Sequence, residues 1–558
     1  MNSDFQTLTA QKLSALGVNP HPNLQRFGSL VELFDYAFAT HRDREACASL
    51  GHVLLFKDLD RLSASFAAWL QQDSGLHVGD RIAVQMPNLS QYLVVVLGAL
   101  RAGMVVVNTN PLYTERELTH QLNDAQVRLL VVQANVAQTA AKVLPNTCVE
   151  QVIVTELADL HPFPKRLLIN FAVKHIKKLV PPYAFANALS LTDILRKDRS
   201  RDYQKVALTA DTMAMLQYTG GTTGVAKGAM LSHGNLVANV LQVDEMFGTQ
   251  PLKGEGDTML QPLPVYHIYA FTTSVYCLFK GTFIVFVPNP RDLDALVKDF
   301  ATYQPHLFCG LNTLFVALCQ HEGFRQIDFS RLKTTLSGGM ALTTAAANRW
   351  EEITGCPVSE GYGLTETSPV ATSNPGNGRQ LGTIGLPLPY TELMVTDDDG
   401  NDLGFEQPGE LCIRGPQVMM GYWQRPEATA EVLTEDGWFR TGDIAVLQAD
   451  GYTRIVDRKK DMIVVSGFNV YPNEIEDVMV GHPGILECAA IGVSDEKTGE
   501  AIRLFVVVSD ATLTTETIRD YAREHLTGYK VPKQIVFRDE LPKSNVGKIL
   551  RRELRDTA

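Results

Sequence analysis

DRLSASFAAWLQQ (60–72), RIAVQM (81–86), GMVVVN (103–108) and RLLVVQ (128–133) are the segments whose reading decides the architecture. The first carries apolar residues at the three- and four-residue spacing of an amphipathic helix. The other three are short apolar runs between turns, rich in β-branched residues. Helix-like and strand-like segments in alternation are the pattern of a layered α/β fold. The alternation spans about residues 30 to 135 and resumes from about 205 to 390, where GTFIVFV (281–287) reads as strand and TTAAANRWEEITG (343–355) as helix.

From about 391 to 456 the texture changes to short strands split by turns, including VTDDDGNDLG, GELCIRG and LQADGYTRIV, and predicts a small β-rich subdomain. DRKKD (457–461) ends it and marks a hinge between domains. Beyond it, NEIEDVMVGH and ETIRDYAREHL read as helices and ECAAIGV, RLFVVV and QIVFR as strands of a compact α+β unit. The expected organisation is an α/β domain over 1–459, with its β-rich part at 391–456, and a mobile C-terminal domain over 460–558.

With 558 residues, 45% hydrophobic and 20% charged, the chain is long enough for more than one core. Its formal charge of -12 disfavours a general role on nucleic acid. The eight cysteines form no CxxC pair and no metal-finger spacing, so they read as reduced, mostly buried thiols of a cytoplasmic protein. No signal peptide or membrane span is expected, because the longest apolar stretch, YLVVVLGAL (92–100), ends at Arg101. One segment departs from this picture: KRLLINFAVKHIKKLV (165–180) sets Lys165, Arg166, Lys174, Lys177 and Lys178 among bulky apolar residues at roughly helical spacing. It reads either as a surface helix packed on the large domain or as a peripheral contact with an anionic membrane.

Four motifs carry chemistry. YTGGTTGVAKGAMLSHGNL (218–236) follows the apolar run MAMLQ and leads toward a helical stretch. Gly220, Gly221 and Gly224 allow backbone N–H groups close to phosphate oxygens, Thr219, Thr222 and Thr223 add hydroxyls, and Lys227 adds charge. Ala226 before Lys227 and Gly228 after it break the Walker A pattern. In SEGYGLTETSP (359–369), read as a loop, Glu366 offers a hard carboxylate for Mg²⁺, Thr365 a phosphate donor and Tyr362 a ring for a base. In DGWFRTGD (436–443) and RIVDRKKDMIVVSGFNVYPNEIE (454–476), Asp443 suits a ribose and Arg458 a phosphate. In LPKSNVGKILRREL (541–554), Lys548 follows a glycine in a turn.

These four motifs, in this order and separation, make nearly the whole chain resemble the adenylate-forming superfamily of acyl-CoA synthetases, peptide-synthetase adenylation domains and luciferases. The runs VDRKKDMIVVSGFNVYPNEIEDV, HLTGYKVPK and ELPKSNVGKILRREL resemble bacterial long-chain fatty-acid–CoA ligases of the fatty-acid degradation type. The resemblance implies ATP, Mg²⁺ and coenzyme A as reactants and a fatty acid as substrate. It implies that Thr219 to Lys227 hold the ATP phosphates, Glu366 the Mg²⁺, Gly338, Gly339 and Tyr362 the adenine, and Asp443 and Arg458 the ribose. Lys548 would bridge carboxylate and α-phosphate, Lys460 would be the hinge, and Gly467 would admit a pantetheine arm. The acyl pocket would come from 263–271, 310–315 and 337–342, including Tyr266, His267, Gly310 and Met340. Those segments carry no cation to pair a second carboxylate, which favours an uncharged tail. A medium-chain or aryl acid ligase, a ligase delivering acyl-AMP to a carrier protein, and a non-catalytic acyl-binding protein are the competing readings. Chain length and oligomeric state, including a homodimer, stay open at this level.

Overall fold

A computed structural model describes residues 2–219, 226–495, 497–510, 512–544 and 547–556. Among them the strands form four sheets. In the nine-stranded sheet, Val358–Gly363, Thr334–Ser337, Leu307–Gly310, Thr258–Gln261, Phe283–Phe286 and Glu45–Ser49 run parallel. In the eight-stranded sheet, Met213–Thr219, Val105–Thr109, Arg81–Gln85, Val127–Gln133, Gln151–Thr155 and Ala188–Ser190 run parallel. The fold is thus mixed α/β, with the alternation legible around residue 100 realised as helices between parallel strands.

YLVVVLGAL lies in the helix Ser90–Arg101, which is buried on every side and touches strands of both large sheets. A helix wedged between two sheets must be apolar all round, which explains its composition. Each fully buried Val or Leu there contributes about 1.5–3 kcal/mol. Gly98 is required where this helix crosses Phe56–Gln72, since a Cβ would meet the Phe66 ring and the Ser63 carbonyl at 2.8 Å. No helix among the described residues is long and apolar enough to cross a membrane. Seven cysteines are buried and free, and Cys148 is exposed.

Glu392–Thr396, Gly409–Arg414, Phe439–Leu447 and Thr453–Arg458 form a four-stranded antiparallel sheet. Past Lys460 a smaller sheet combines Ile463–Val465, Phe468–Val470, Ile485–Asp495, Gly499–Val508 and Gln534–Phe537. It closes on the helices Pro472–Val480 and Thr515–His525 around a core of its own, with Ile463, Met479, Leu504 and Ile518 buried.

Three segments differ from the reading of the sequence. Lys227 opens the strand Lys227–Ser232, paired antiparallel to Met213–Thr219, and the helix begins only at His233. Tyr362 sits on the strand Val358–Gly363 instead of in a loop, because it pairs antiparallel with Thr372 of the strand Val370–Ser373. The basic segment is an α-helix only over Lys165–Phe171, then a π-turn over Ala172–Ile176. Lys178 takes a φ of 52° and two prolines follow, so helix cannot continue to 180.

Candidate active site

Thr219 and Lys227 face each other at the end of a β-hairpin, as paired residues of its two strands. Gly220, Gly221, Thr222, Thr223 and Gly224 lie outside the described residues. Thr219, Lys227, His267, Gly338, Gly339, Met340, Tyr362, Thr365, Glu366, Asp443, Arg458, Lys460 and Lys548 all line one cleft of about 2570 Å³. Tyr266, Gly310 and Gly467 are not among its lining residues. Tyr266 is held by its carbonyl, which accepts from Gln217 Nε2 at 2.9 Å. Gly310 is a packing glycine: a Cβ there would meet the Phe315 ring at 2.6 Å. Gly467, at a φ of 83°, turns the hairpin next to Phe468, which is 55% exposed and stacks on Tyr529 at 4.7 Å.

The cleft is bounded by both domains. Gly547 needs its φ of 80°, and a Cβ there would meet Thr313 Oγ1 at 2.9 Å. Thr313 Oγ1 donates to the Gly547 carbonyl at 3.4 Å, and Thr344 N donates to Asp477 Oδ1 at 3.3 Å. This docking carries Lys548 into the cleft. Burial, reinforced by the Arg458 guanidinium, lowers its ammonium to about 7. Burial, with the Lys548 charge adding to it, lowers His267 to about 4, so its ring is neutral at neutral pH.

Asp443 anchors the opposite wall. Its Oδ2 accepts from Tyr362 OH at 2.6 Å, and its Oδ1 lies 3.7 Å from Arg458 Nε. Burial pushes the Tyr362 phenol well above its ordinary value, so it stays a hydrogen-bond donor. Glu366 is buried, which raises its carboxyl, while Tyr422 OH donates to its Oε1 at 2.6 Å and lowers it. Lys227 Nζ lies 5.2 Å from the centre of the Tyr422 ring. Cation, carboxylate and aromatic are therefore adjacent, although Lys227 and Glu366 come from two different motifs and Tyr422 from neither.

Several functional groups escape the sequence. Tyr422 carries no motif, and Asp457 is visible only as part of a charged boundary. Burial raises Asp457 to about 6 while its oxygens accept from the Arg458 and Asn473 backbone at 2.7 and 2.8 Å. Glu360, also on the cleft wall, is raised by burial to about 7. Arg551 binds Glu476 at 2.7 Å and, with Arg555, Asp461.

One large cleft, with Lys548 brought into it by the small domain, fits an adenylate-forming enzyme, and the chain belongs to the AMP-binding enzyme family. The family model matches residues 34–423, and that of the AMP-binding enzyme C-terminal domain matches 474–548. A long-chain-fatty-acid–CoA ligase of Escherichia coli O157:H7 is 51% identical over 96% of both chains. One of Bacillus subtilis is 38% identical over 94% of both. Among solved structures, ATP-bound MatB from Rhodopseudomonas palustris is 30% identical with a TM-score of 0.82, covering 94% of this chain and 98% of its own.

Proposed function

We propose that the chain activates a long-chain fatty acid with ATP and transfers the acyl group to coenzyme A. The observation that carries this is the meeting of Lys548, Asp443, Arg458 and Glu366 in one cleft whose lining also includes the apolar side chains of Val243, Met246, Phe247, Ile268 and Leu336. Relatives about half identical over nearly their full length are named for the same reaction.

The chemistry follows from charge. A carboxylate oxygen attacks the α-phosphorus and pyrophosphate leaves, which brings two anions together. The Lys548 ammonium neutralises both and orients them, while Asp443, Tyr362 and Arg458 hold the nucleoside. Among the described residues no cluster of three or more His, Cys, Asp or Glu could hold a metal. Mg²⁺ bound through one carboxylate and substrate phosphates needs no such cluster, and buried Glu366 suits it. Bound there, Mg²⁺ would offset phosphate charge. In the second half-reaction the CoA thiolate attacks the acyl carbon, the acyl–oxygen bond breaks and AMP leaves. This step calls for the small domain to turn about Lys460, so that the hairpin at Gly467 faces the cleft.

The test is thioester formation with ATP, Mg²⁺ and CoA across acids from acetate to oleate and coumarate. A maximum on long aliphatic acids is expected. A maximum on coumarate, or adenylate with no thioester, contradicts the proposal.

The same proposal includes a peripheral membrane contact. Phe163, Leu167, Leu168, Phe171, Ile176 and Leu179 are 52–77% exposed, interleaved with Lys165, Lys174, Lys177 and Lys178. Buried Asn170 and Val173 tie the segment down; Asn170 Oδ1 accepts from Ala158 N at 2.9 Å. Arg166, Ile169, Ala172 and Val180 are half-buried, and the remaining residues of 165–180 face solvent. Apolar side chains ringed by lysines fit the interface of an anionic bilayer, at about 1 kcal/mol per basic residue. Reversing Lys174, Lys177 and Lys178 to Glu is expected to cut sedimentation with phosphatidylglycerol vesicles at least tenfold. Unchanged sedimentation refutes the contact. None of these residues lines the cleft, so turnover of a soluble medium-chain acid stays within about twofold.

A further inference from the structure

The helix Glu115–Asp124 runs beside the cleft and presents Arg116, Glu117, His120 and Gln121 to it. Its start is fixed by a capping box: Glu117 Oε2 accepts from Thr114 N at 2.8 Å, and Thr114 Oγ1 accepts from Glu117 N at 3.3 Å. One turn apart, His120 and Asp124 reach the two legs of the hairpin that ends in Thr219 and Lys227. Asp124 Oδ2 accepts from Tyr218 OH at 2.7 Å, one residue before Thr219. His120 Nε2 donates to the Ala226 carbonyl at 3.0 Å, one residue before Lys227. The imidazole also meets the Tyr218 ring edge to face at 6.5 Å.

Asp124 has further partners. Its Oδ1 accepts from Arg425, and its carbonyl accepts from Trp423 Nε1 at 3.0 Å. Trp423 and Arg425 follow Tyr422, whose hydroxyl holds Glu366. Trp423 N in turn donates to the Gly228 carbonyl at 2.8 Å. The end of one helix thus ties together the incoming leg of the hairpin, its outgoing leg and the strand that positions the buried carboxylate. With its side chain 8% exposed, Asp124 satisfies both Tyr218 and Arg425 out of water, where such bonds are strongest.

We infer that His120 and Asp124 are positioning residues for the ATP phosphates. They set the span of the hairpin and its place against Glu366 without touching the substrate. The inference rests on the reading that Thr219 and Lys227 face those phosphates. Groups already held in place by their neighbours need not be ordered when the ligand binds, which lowers the cost of binding. The adenylate has already lost its β- and γ-phosphates, so the second half-reaction does not draw on this arrangement.

Three variants, His120→Ala, His120→Gln and Asp124→Asn, test it in two assays. One is fatty-acid-dependent exchange of pyrophosphate into ATP; the other is thioester formation from supplied acyl-AMP and CoA. His120→Ala is expected to raise the KM for ATP about tenfold in exchange, with kcat changed less than about threefold. His120→Gln, which keeps an N–H donor near the same place, restores most of the KM. Asp124→Asn raises the KM for both ATP and Mg²⁺ about tenfold. Thioester formation from acyl-AMP stays within about twofold of wild type in all three. An unchanged KM for ATP, equal losses in both assays, or failure of Gln to restore what Ala removes overturns the inference. Absence of exchange in the wild-type protein overturns the underlying ATP reading instead.

Discussion

Lys548→Ala removes acyl-adenylate formation, by about 10³-fold or more, and leaves thioester formation from supplied acyl-AMP largely intact. The asymmetry follows from when the lysine is needed. Its ammonium neutralises two anions as the carboxylate meets the α-phosphate, whereas a thiolate attacking an acyl-adenylate has a good leaving group already in place. Equal loss of both half-reactions contradicts the assignment. The charge state adds a pH dependence. Burial lowers the ammonium to about 7, so below that value the lysine is charged and above it the amine is neutral and cannot pair with anions. Adenylation kcat/KM, which reports the free enzyme, therefore falls as pH rises through about 7. Bound ATP and carboxylate favour the charged form, so the corresponding fall in kcat lies at higher pH. Superimposed limbs, or a rise through this range, contradict the assignment.

Lys460→Pro is expected to separate the half-reactions in the opposite sense. Lys459 belongs to the large domain: its N donates to the Gly442 carbonyl at 3.0 Å, and its Nζ lies 2.8 Å from Asp398 and 3.2 Å from Glu410. Asp461 belongs to the small domain through Arg551 and Arg555. Lys460 is thus the residue between two anchored neighbours, which is why we propose it as the hinge on whose backbone a rotation of the small domain would concentrate. Proline fixes φ there and restricts the preceding residue. Adenylate formation in the docked arrangement should persist within about tenfold, while thioester formation from acyl-AMP falls at least about 100-fold. Loss of adenylation with retained thioester formation contradicts this placement of the hinge.

The sequence makes some of this site legible because its chemistry comes as clustered residue types. Thr219 with Lys227, Thr365 with Glu366, and Gly547 with Lys548 each sit in short segments whose glycines and hydroxyls have no reason to be there in a packed core. The segments' convergence on one cleft comes from the packing of the antiparallel hairpin, the four-stranded sheet and the docked small domain around it, a three-dimensional fact that only their order hinted at. Tyr422, His120 and Asp124 were not legible. Each is a single polar residue in an ordinary strand or helix, and its importance lies in a partner up to 301 residues away. Thr114 and Glu117 announce a helix start but say nothing of what the other end of that helix binds. The basic segment was legible in part: it is helical over 165–176, with Asn170 and Val173 buried, but the chain beyond Ile176 turns before the prolines.

In the proposed reaction a carboxylate oxygen becomes bonded to the α-phosphorus and leaves with AMP. Oleate labelled with ¹⁸O in both carboxyl oxygens, turned over with ATP, Mg²⁺ and CoA, tests it directly. One ¹⁸O in each AMP formed and none in pyrophosphate is expected; label in inorganic phosphate, or AMP without label alongside thioester, contradicts the adenylate route.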